Sequence, residues 1–281
     1  MRALRQAIVL TGSCLLPAAC MAPTSEESEP GDEAAIGSVH QALTAGAIRV
    51  MDNFWGEGEL MCPAGHPYAL SGGTGICGGG ACSLDIHQMA FESNDGDPVG
   101  IYAINNELDD FNIMAVCSDY APYKTQTSDS DGDRTLNCPA NYVAVGGAGY
   151  CEDSGAHLIR SRPNPDTAGS EPTGWRATCV TPGEAAGHSP MQLSVTCALK
   201  GSAWNWNGCK TRKRSESFPP GYASVWCNSG ETAVATGGYC GSGGYIEWMG
   251  VFSSLAQADV QCSEDDSATA YAVCCPNVDA D

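Results

Sequence analysis

Basic residues are scarce in this chain: 13 Lys plus Arg stand against 33 Asp plus Glu, a formal charge of −20 over 281 residues. So acidic a surface repels nucleic acid and anionic membranes, which excludes both as main partners. Aromatics make up 7%, and the five histidines, His40, His66, His87, His157 and His188, have no regular spacing. They read as loop residues rather than catalytic bases. No H-E-x-x-H occurs to hold zinc, and no G-x-S-x-G to form a nucleophile elbow. No C-x₂-C pair occurs either, which removes the usual zinc framework. The N-terminal apolar stretch, Ala7 to Ala19, has 13 residues where a membrane-spanning helix needs about 20. With 34 glycines, 16 prolines and no sustained 3.6-residue period in the body, long helices are excluded as well. Charged residues are only 16% and hydrophobic ones 43%, so the chain is not a disordered acidic polymer.

Cysteine is what the chain has in plenty. Sixteen of them belong to an oxidising compartment. Arg2 and Arg5 precede the short apolar run, which ends Leu16-Pro17-Ala18-Ala19-Cys20. The order is that of an export signal of residues 1–20. Cutting before Cys20 leaves 15 cysteines, an odd number, whereas modifying Cys20 leaves 14, which can pair fully. Residues 21–47 begin with Glu26, Glu27, Glu29, Asp32 and Glu33 among Ser, Thr and Pro, and read as a solvated tether. Removal of the signal leaves 11 basic residues against 33 acidic, a net −22.

The body is an internal repeat. Cys62-Pro63-Ala64-Gly65 leads to Gly72-Gly73-Thr74-Gly75-Ile76-Cys77, and Cys138-Pro139-Ala140-Asn141 to Gly146-Gly147-Ala148-Gly149-Tyr150-Cys151. Cys227-Asn228-Ser229-Gly230 leads to Gly237-Gly238-Tyr239-Cys240. The closing runs are Ile113 to Cys117, Leu193 to Cys197 and Ala270 to Cys274. Before them, Gly174 to Cys179 corresponds to Gln257 to Cys262, and the first copy has Asn105 in place of that cysteine. The copies are residues 48–118, 119–199 and 200–276, followed by a tail, 277–281.

These runs predict strands, about four per copy and twelve in all, with each Gly-Gly step using positive φ to reverse the chain. Arg162-Pro163-Asn164-Pro165 is expected to break the strand begun at Leu158. The disulfides expected within copies are Cys62–Cys77, Cys82–Cys117, Cys138–Cys151, Cys179–Cys197 and Cys227–Cys240, each of the Gly-Gly loops closing about 15 residues. Cys262 and Cys274 are also assigned to bridges, and Cys209 is left for one of Cys274 and Cys275.

Leu16 to Cys20 resembles the lipobox of bacterial lipoproteins, with Pro17 where the pattern has an apolar residue. That resemblance implies a lipid on Cys20 and a bacterial outer-membrane or cell-surface location; free secretion is the alternative. The C-P-x-G, Gly-Gly, G-W and A-V-C marks resemble those of secreted bacterial proteins of uncharacterised role. In layout, three disulfide-bearing copies are similar to the vitelline membrane outer layer protein I family. That resemblance implies an all-β fold, a β-prism of three sheets about a pseudo-threefold axis, and glycan binding.

Three places carry candidate chemistry. Asp129, Asp131 and Asp133 alternate oxygen ligands as calcium needs, against the reading of a solvated loop joining two copies. In Trp204-Asn205-Trp206, two indoles share a face if the segment is extended, suited to stacking on sugar rings, against the reading that both rings fill the core. Lys210, Arg212, Lys213 and Arg214 follow as a positive patch suited to an anionic glycan or an acidic partner. The function these features point to is a lipid-anchored, non-enzymatic surface module for glycans or an envelope protein, without a required cofactor. A structural envelope protein is the alternative. A glycosidase-like enzyme is the second, since paired carboxylates need not lie close in sequence.

Overall fold

The computed structural model describes residues 41–43, 47–75, 86–94, 97–105, 110–129, 131–153, 155–181, 188–202, 206–217, 221–241, 243–252, 254–263 and 267–276. Cys20, the acidic tether's charged run, Cys77, Cys82, Trp204, Asn205 and the tail lie outside them, as does the side chain of Asp129. The first seven strands are β1 (Gln41–Leu43), β2 (Ala47–Trp55), β3 (Glu57–Met61), β4 (Tyr68–Gly75), β5 (Ile86–Asn94), β6 (Asp97–Asn105) and β7 (Asp110–Ser118). Six follow: β8 (Tyr123–Asp129), β9 (Asp133–Asn137), β10 (Tyr142–Cys151), β11 (His157–Asn164), β12 (Gly174–Val180) and β13 (Met191–Leu199). After a 3-10 turn, Trp206–Gly208, come β14 (Lys210–Glu216), β15 (Tyr222–Trp226), β16 (Glu231–Cys240), β17 (Ile246–Val251), β18 (Gln257–Cys262) and β19 (Ala268–Pro276). The fold is all-β.

Among the described residues, segments 47–118, 119–199 and 200–276 thus hold six strands each, where the sequence predicts four. The unpredicted ones include β8, β9, β14 and β15, which end the two strand orders. Edge strands tolerate charge and need no buried alternation, so KTRKRSE in β14 does not look like a strand. Asp129 to Asp133 is not a linker alone: it ends β8 and opens β9, turning at Gly132, whose φ is +64°. Pro163 does not break β11, which continues to Asn164, with Pro163 opposite Trp175.

All ladders are antiparallel. One sheet runs β15-β18-β17-β4-β7-β2-β3-β6-β5-β10-β13-β8, with β1 on β2; the other runs β14-β19-β16-β11-β12-β9. The β2–β3 link is a single pair, Trp55 with Glu57, around Gly56 at φ +69°. Three junctions are short: Thr74 with Met249 (β4–β17), Tyr150 with Gln88 (β10–β5), and Gly238 with Ser161 plus Tyr239 with Arg160 (β16–β11). Bulges fall at Leu70, Val145 and Val234, where β4, β10 and β16 meet their neighbours. These bulges meet one another. Ser71 Oγ donates to Val234 O at 2.6 Å, and a Cβ on Gly146 would lie 1.9 Å from Leu70 O.

The Gly-Gly steps do not reverse the chain. They lie inside β4, β10 and β16, and none of these glycines has positive φ. They are small because the structure packs against them. A Cβ on Gly147 would sit 2.2 Å from the Trp175 ring, and one on Gly72 2.6 Å from the Ile101 side chain. At two junctions a Cβ would strike backbone: Gly73 meets Met249 O at 2.3 Å and Gly237 meets Ser161 O at 2.7 Å. The space freed by Gly147 is filled by Trp175, fully buried, whose Nε1 donates to Ser161 Oγ at 2.9 Å. One hydrophobic core joins residues from Ala47 to Cys275.

The disulfides differ from those expected. Cys62 bonds to Cys117, Cys138 to Cys197 and Cys227 to Cys274; Cys151 bonds to Cys179 and Cys240 to Cys262. Cys209 bonds to Cys275. Cys138–Cys151 and Cys227–Cys240 fail for a geometric reason. A strand of 10 residues, β10 or β16, runs up to and includes the second cysteine of each pair. Ten extended residues span roughly 30 Å, and a bridge needs Cα atoms within about 7 Å. Antiparallel pairing instead sets Cys197 beside Ala144 and Cys274 beside Ala233, near the cysteines that open each segment. Cys62–Cys77, Cys82–Cys117 and Cys179–Cys197 are excluded because Cys62, Cys117, Cys179 and Cys197 are otherwise engaged. The separations run from 22 to 66 residues, so each bridge contributes about 3–4 kcal/mol in the chain-entropy model.

Candidate functional site

In β18, Ala258, Val260 and Cys262 point into the core, which turns Gln257, Asp259 and Gln261 to the other face. Register then builds a grid across three strands. Tyr222, Gln261 and Trp248 form one row; Ser224, Asp259 and Gly250 the next. Trp226 pairs with Gln257, and the ladder continues to Phe252, whose N–H donates to Gln257 O at 2.9 Å. Trp226 is 53% exposed, Phe252 38% and Tyr222 37%. Exposed aromatics grouped around polar side chains mark a binding surface more often than a packing accident.

The polar groups hold one another in fixed orientations. Gln257 Nε2 donates to Asp259 Oδ1 at 2.7 Å and to Ser224 Oγ at 3.2 Å. Ser224 Oγ donates to the Tyr222 hydroxyl at 2.9 Å. Trp248 Nε1 donates to Gln261 Oε1 at 2.7 Å, and Gln261 Nε2 to Glu247 Oε2 at 3.0 Å. Glu247 is the bulged residue between Ile246 and Trp248, which brings its carboxylate to this side. The Tyr222 and Trp248 rings lie 5.8 Å apart, tilted by 48°. Burial first, and then the Asp259 carboxylate, raise the Tyr222 phenol above the ordinary tyrosine range, against an opposing Ser224 hydrogen bond. Asp259 is fully buried, and its Oδ2 has no donor among the described residues. The Tyr222 hydroxyl is thus tied to Ser224 and Asp259, and these bonds fix the amides of Gln257 and Gln261 beside the exposed rings.

The positions singled out in the sequence fall elsewhere. Trp206 lies in the 3-10 turn, 3% exposed, with its ring 5.5 Å from Tyr120. It is a core side chain and not half of an extended indole pair. The basic run is a strand, so alternation divides it. Lys213 approaches the Tyr271 ring at 5.5 Å, Arg212 pairs with Glu231 at 2.5 Å and Arg214 with Glu216 at 2.5 Å. Of the aspartates, Asp131 is exposed and Asp133 is occupied: Arg176 donates to it at 2.9 and 3.1 Å, and Thr178 at 3.0 Å. The Arg176 hydrogen bond is the main reason its carboxyl is held below the usual range. Cys227, Glu231 and Cys274 come together, but the two sulfurs form a disulfide and Glu231 takes Arg212, so they hold no metal. His157 opens β11 and stacks on Tyr245 at 4.2 Å, a packing role.

The grid was missed by sequence reasoning although its signal is present. Tyr222-x-Ser224-x-Trp226, Trp248-x-Gly250-x-Phe252 and Gln257-x-Asp259-x-Gln261 each alternate with apolar residues. No family model matches this chain, and no curated protein matches it.

Proposed function

We propose that this chain is a non-enzymatic, exported surface protein, lipid-anchored through Cys20, that binds glycans on the Tyr222, Trp226 and Gln257 face. The observation that carries the reading is the grid itself: three exposed aromatics around amides held in fixed orientations by their neighbours. Aromatic rings stack on the C–H faces of sugars while amides and hydroxyls meet ring hydroxyls in pairs. Six disulfides among the described residues fit folding in an oxidising compartment. No described helix is long and apolar enough to cross a membrane.

The body is a β-prism of three copies about a pseudo-threefold axis. Support comes from the ladders from β2 onward, which, the single β2–β3 pair aside, recur when strand numbers advance cyclically by six. The β4–β17, β10–β5 and β16–β11 junctions are one such set. The three bulges, joined through Ser71 and Gly146, lie at equivalent places around the axis. Outward positions diverge. Where the third copy has Asp259, the others have Arg176 and Tyr102, so the copies share a scaffold and differ in what they present.

A glycan array with the soluble chain from residue 21 tests the binding, alongside Tyr222→Ala/Trp226→Ala. The wild type is expected to bind defined glycans and the variant to lose at least about tenfold, with stability within about 1 kcal/mol. Background signal from the wild type would instead favour the structural envelope role. Anchoring is tested separately: Cys20→Ala should move the protein out of the membrane fraction, and retention there would end the lipid reading.

A further inference from the structure

The outward face of the second sheet carries a different chemistry. Across β9, β12, β11, β16, β19 and β14, one row reads Asp133, Thr178, Arg160, Tyr239, Thr269, Ser215. Two residues along, Arg176 pairs with Arg162, and Gly237 with Tyr271, which pairs with Lys213. The Arg160 guanidinium carbon lies 5.0 Å from the Tyr239 ring centre, and that of Arg162 5.6 Å from Tyr239 and 5.5 Å from Tyr271. Lys213 Nζ is 5.5 Å from the Tyr271 ring. Gly237 keeps a side chain out of the middle, since a Cβ there would lie 3.0 Å from Arg162 Cα.

Four of the chain's 13 basic residues therefore share one face with two carboxylates among the described residues, Asp133 and Asp166. Those two are committed. Arg176 takes Asp133 in a two-point grip, leaving Arg160 at 3.9 Å from the same carboxylate. Arg162 pairs with Asp166 and donates to the Tyr271 hydroxyl at 2.8 Å. The Nε–H groups of Arg160 and Arg162 are shut off from solvent and have no acceptor among the described residues. A purely structural ion-pair network balances its charges and satisfies its buried donors. This one does neither, and an anion met by the outer guanidinium nitrogens and Lys213 would offset the excess charge.

We propose that this face binds one oxyanion group, a carboxylate, sulfate or phosphate, between Arg160, Arg162 and Lys213. The rest of the protein limits the ligand. With 33 acidic residues in the chain, a dense polyanion is repelled, while a single anionic group feels the local cluster within the Debye length of about 8 Å. The site is separate from the Tyr222 face and stands whether or not that face binds sugar.

The test is thermal unfolding and calorimetric titration of the chain from residue 21 with sodium sulfate, sodium phosphate or sodium glucuronate, each against sodium chloride at equal ionic strength. At least one should bind saturably and raise the melting temperature above the chloride control. Glucuronate alone would identify a uronate, and inorganic anions a free ion or an ester. Arg160→Gln should cut affinity at least tenfold. Lys213→Gln, at an exposed position that folding does not need, should weaken it several-fold. Arg214→Gln, on the opposite face of β14, should leave it unchanged. Equal behaviour in all four salts would overturn the proposal, as would affinity unaltered by Lys213→Gln.

Discussion

Trp206 and Trp226 belong to the same segment and have opposite surroundings: one ring is buried against Tyr120, the other stands on an edge strand. Trp206→Ala should therefore cost about 3–5 kcal/mol of stability, read by denaturant unfolding, with glycan affinity per folded molecule unchanged. Trp226→Ala should do the reverse. The sequence sets Trp206 between Asn205 and Asn207 and Trp226 between Val225 and Cys227, so neighbours alone suggest the opposite burial, and only backbone geometry tells a 3-10 turn from a strand. Asp133 shows how a charge is likewise read wrongly in isolation. In sequence it is one of three alternating oxygens; in the fold, Arg176 and Thr178 occupy it. Because its folded pKa is lowered, its contribution is fully present above the ordinary value of 3.8 and is lost as pH falls through the folded value. Asp133→Asn should flatten that part of the acid limb in melting curves from about pH 2 to 6. An acid limb identical to the wild type would remove Asp133 from the account.

Among the elements, the inner strands were legible and the edges were not. β12 and β13 alternate apolar residues into a cysteine, and burial enforces that pattern. β8, β9, β14 and β15 are held by ladders to inner strands, so their sequences need only allow extension. The glycines were legible as necessary but given the wrong reason: lack of a Cβ matters, not access to positive φ. Gly147→Ala should therefore destabilise the protein by about 1–3 kcal/mol through its clash with Trp175. Shrinking the neighbour tests the cause. In a Trp175→Leu background the Gly147→Ala penalty should fall by half or more; an unchanged penalty would point to backbone conformation instead.

At the scale of the molecule, the repeat in the sequence located the cysteines but not their partners, because pairing depends on which strands lie side by side. Sequential neighbours such as Cys138 and Cys151 sit near opposite ends of one strand, while Cys138 and Cys197 meet across a ladder. The same ladders place Tyr222, Trp226, Gln257 and Asp259 on one face, so the candidate site exists only if the strands pair this way. Peptide mapping under non-reducing conditions tests that arrangement most directly. The account predicts Cys62–Cys117, Cys138–Cys197, Cys151–Cys179, Cys209–Cys275, Cys227–Cys274 and Cys240–Cys262. Recovery of Cys138–Cys151 or Cys227–Cys240 as the main species would mean that β10 or β16 is not an extended strand, and would contradict both the fold and the site built on it.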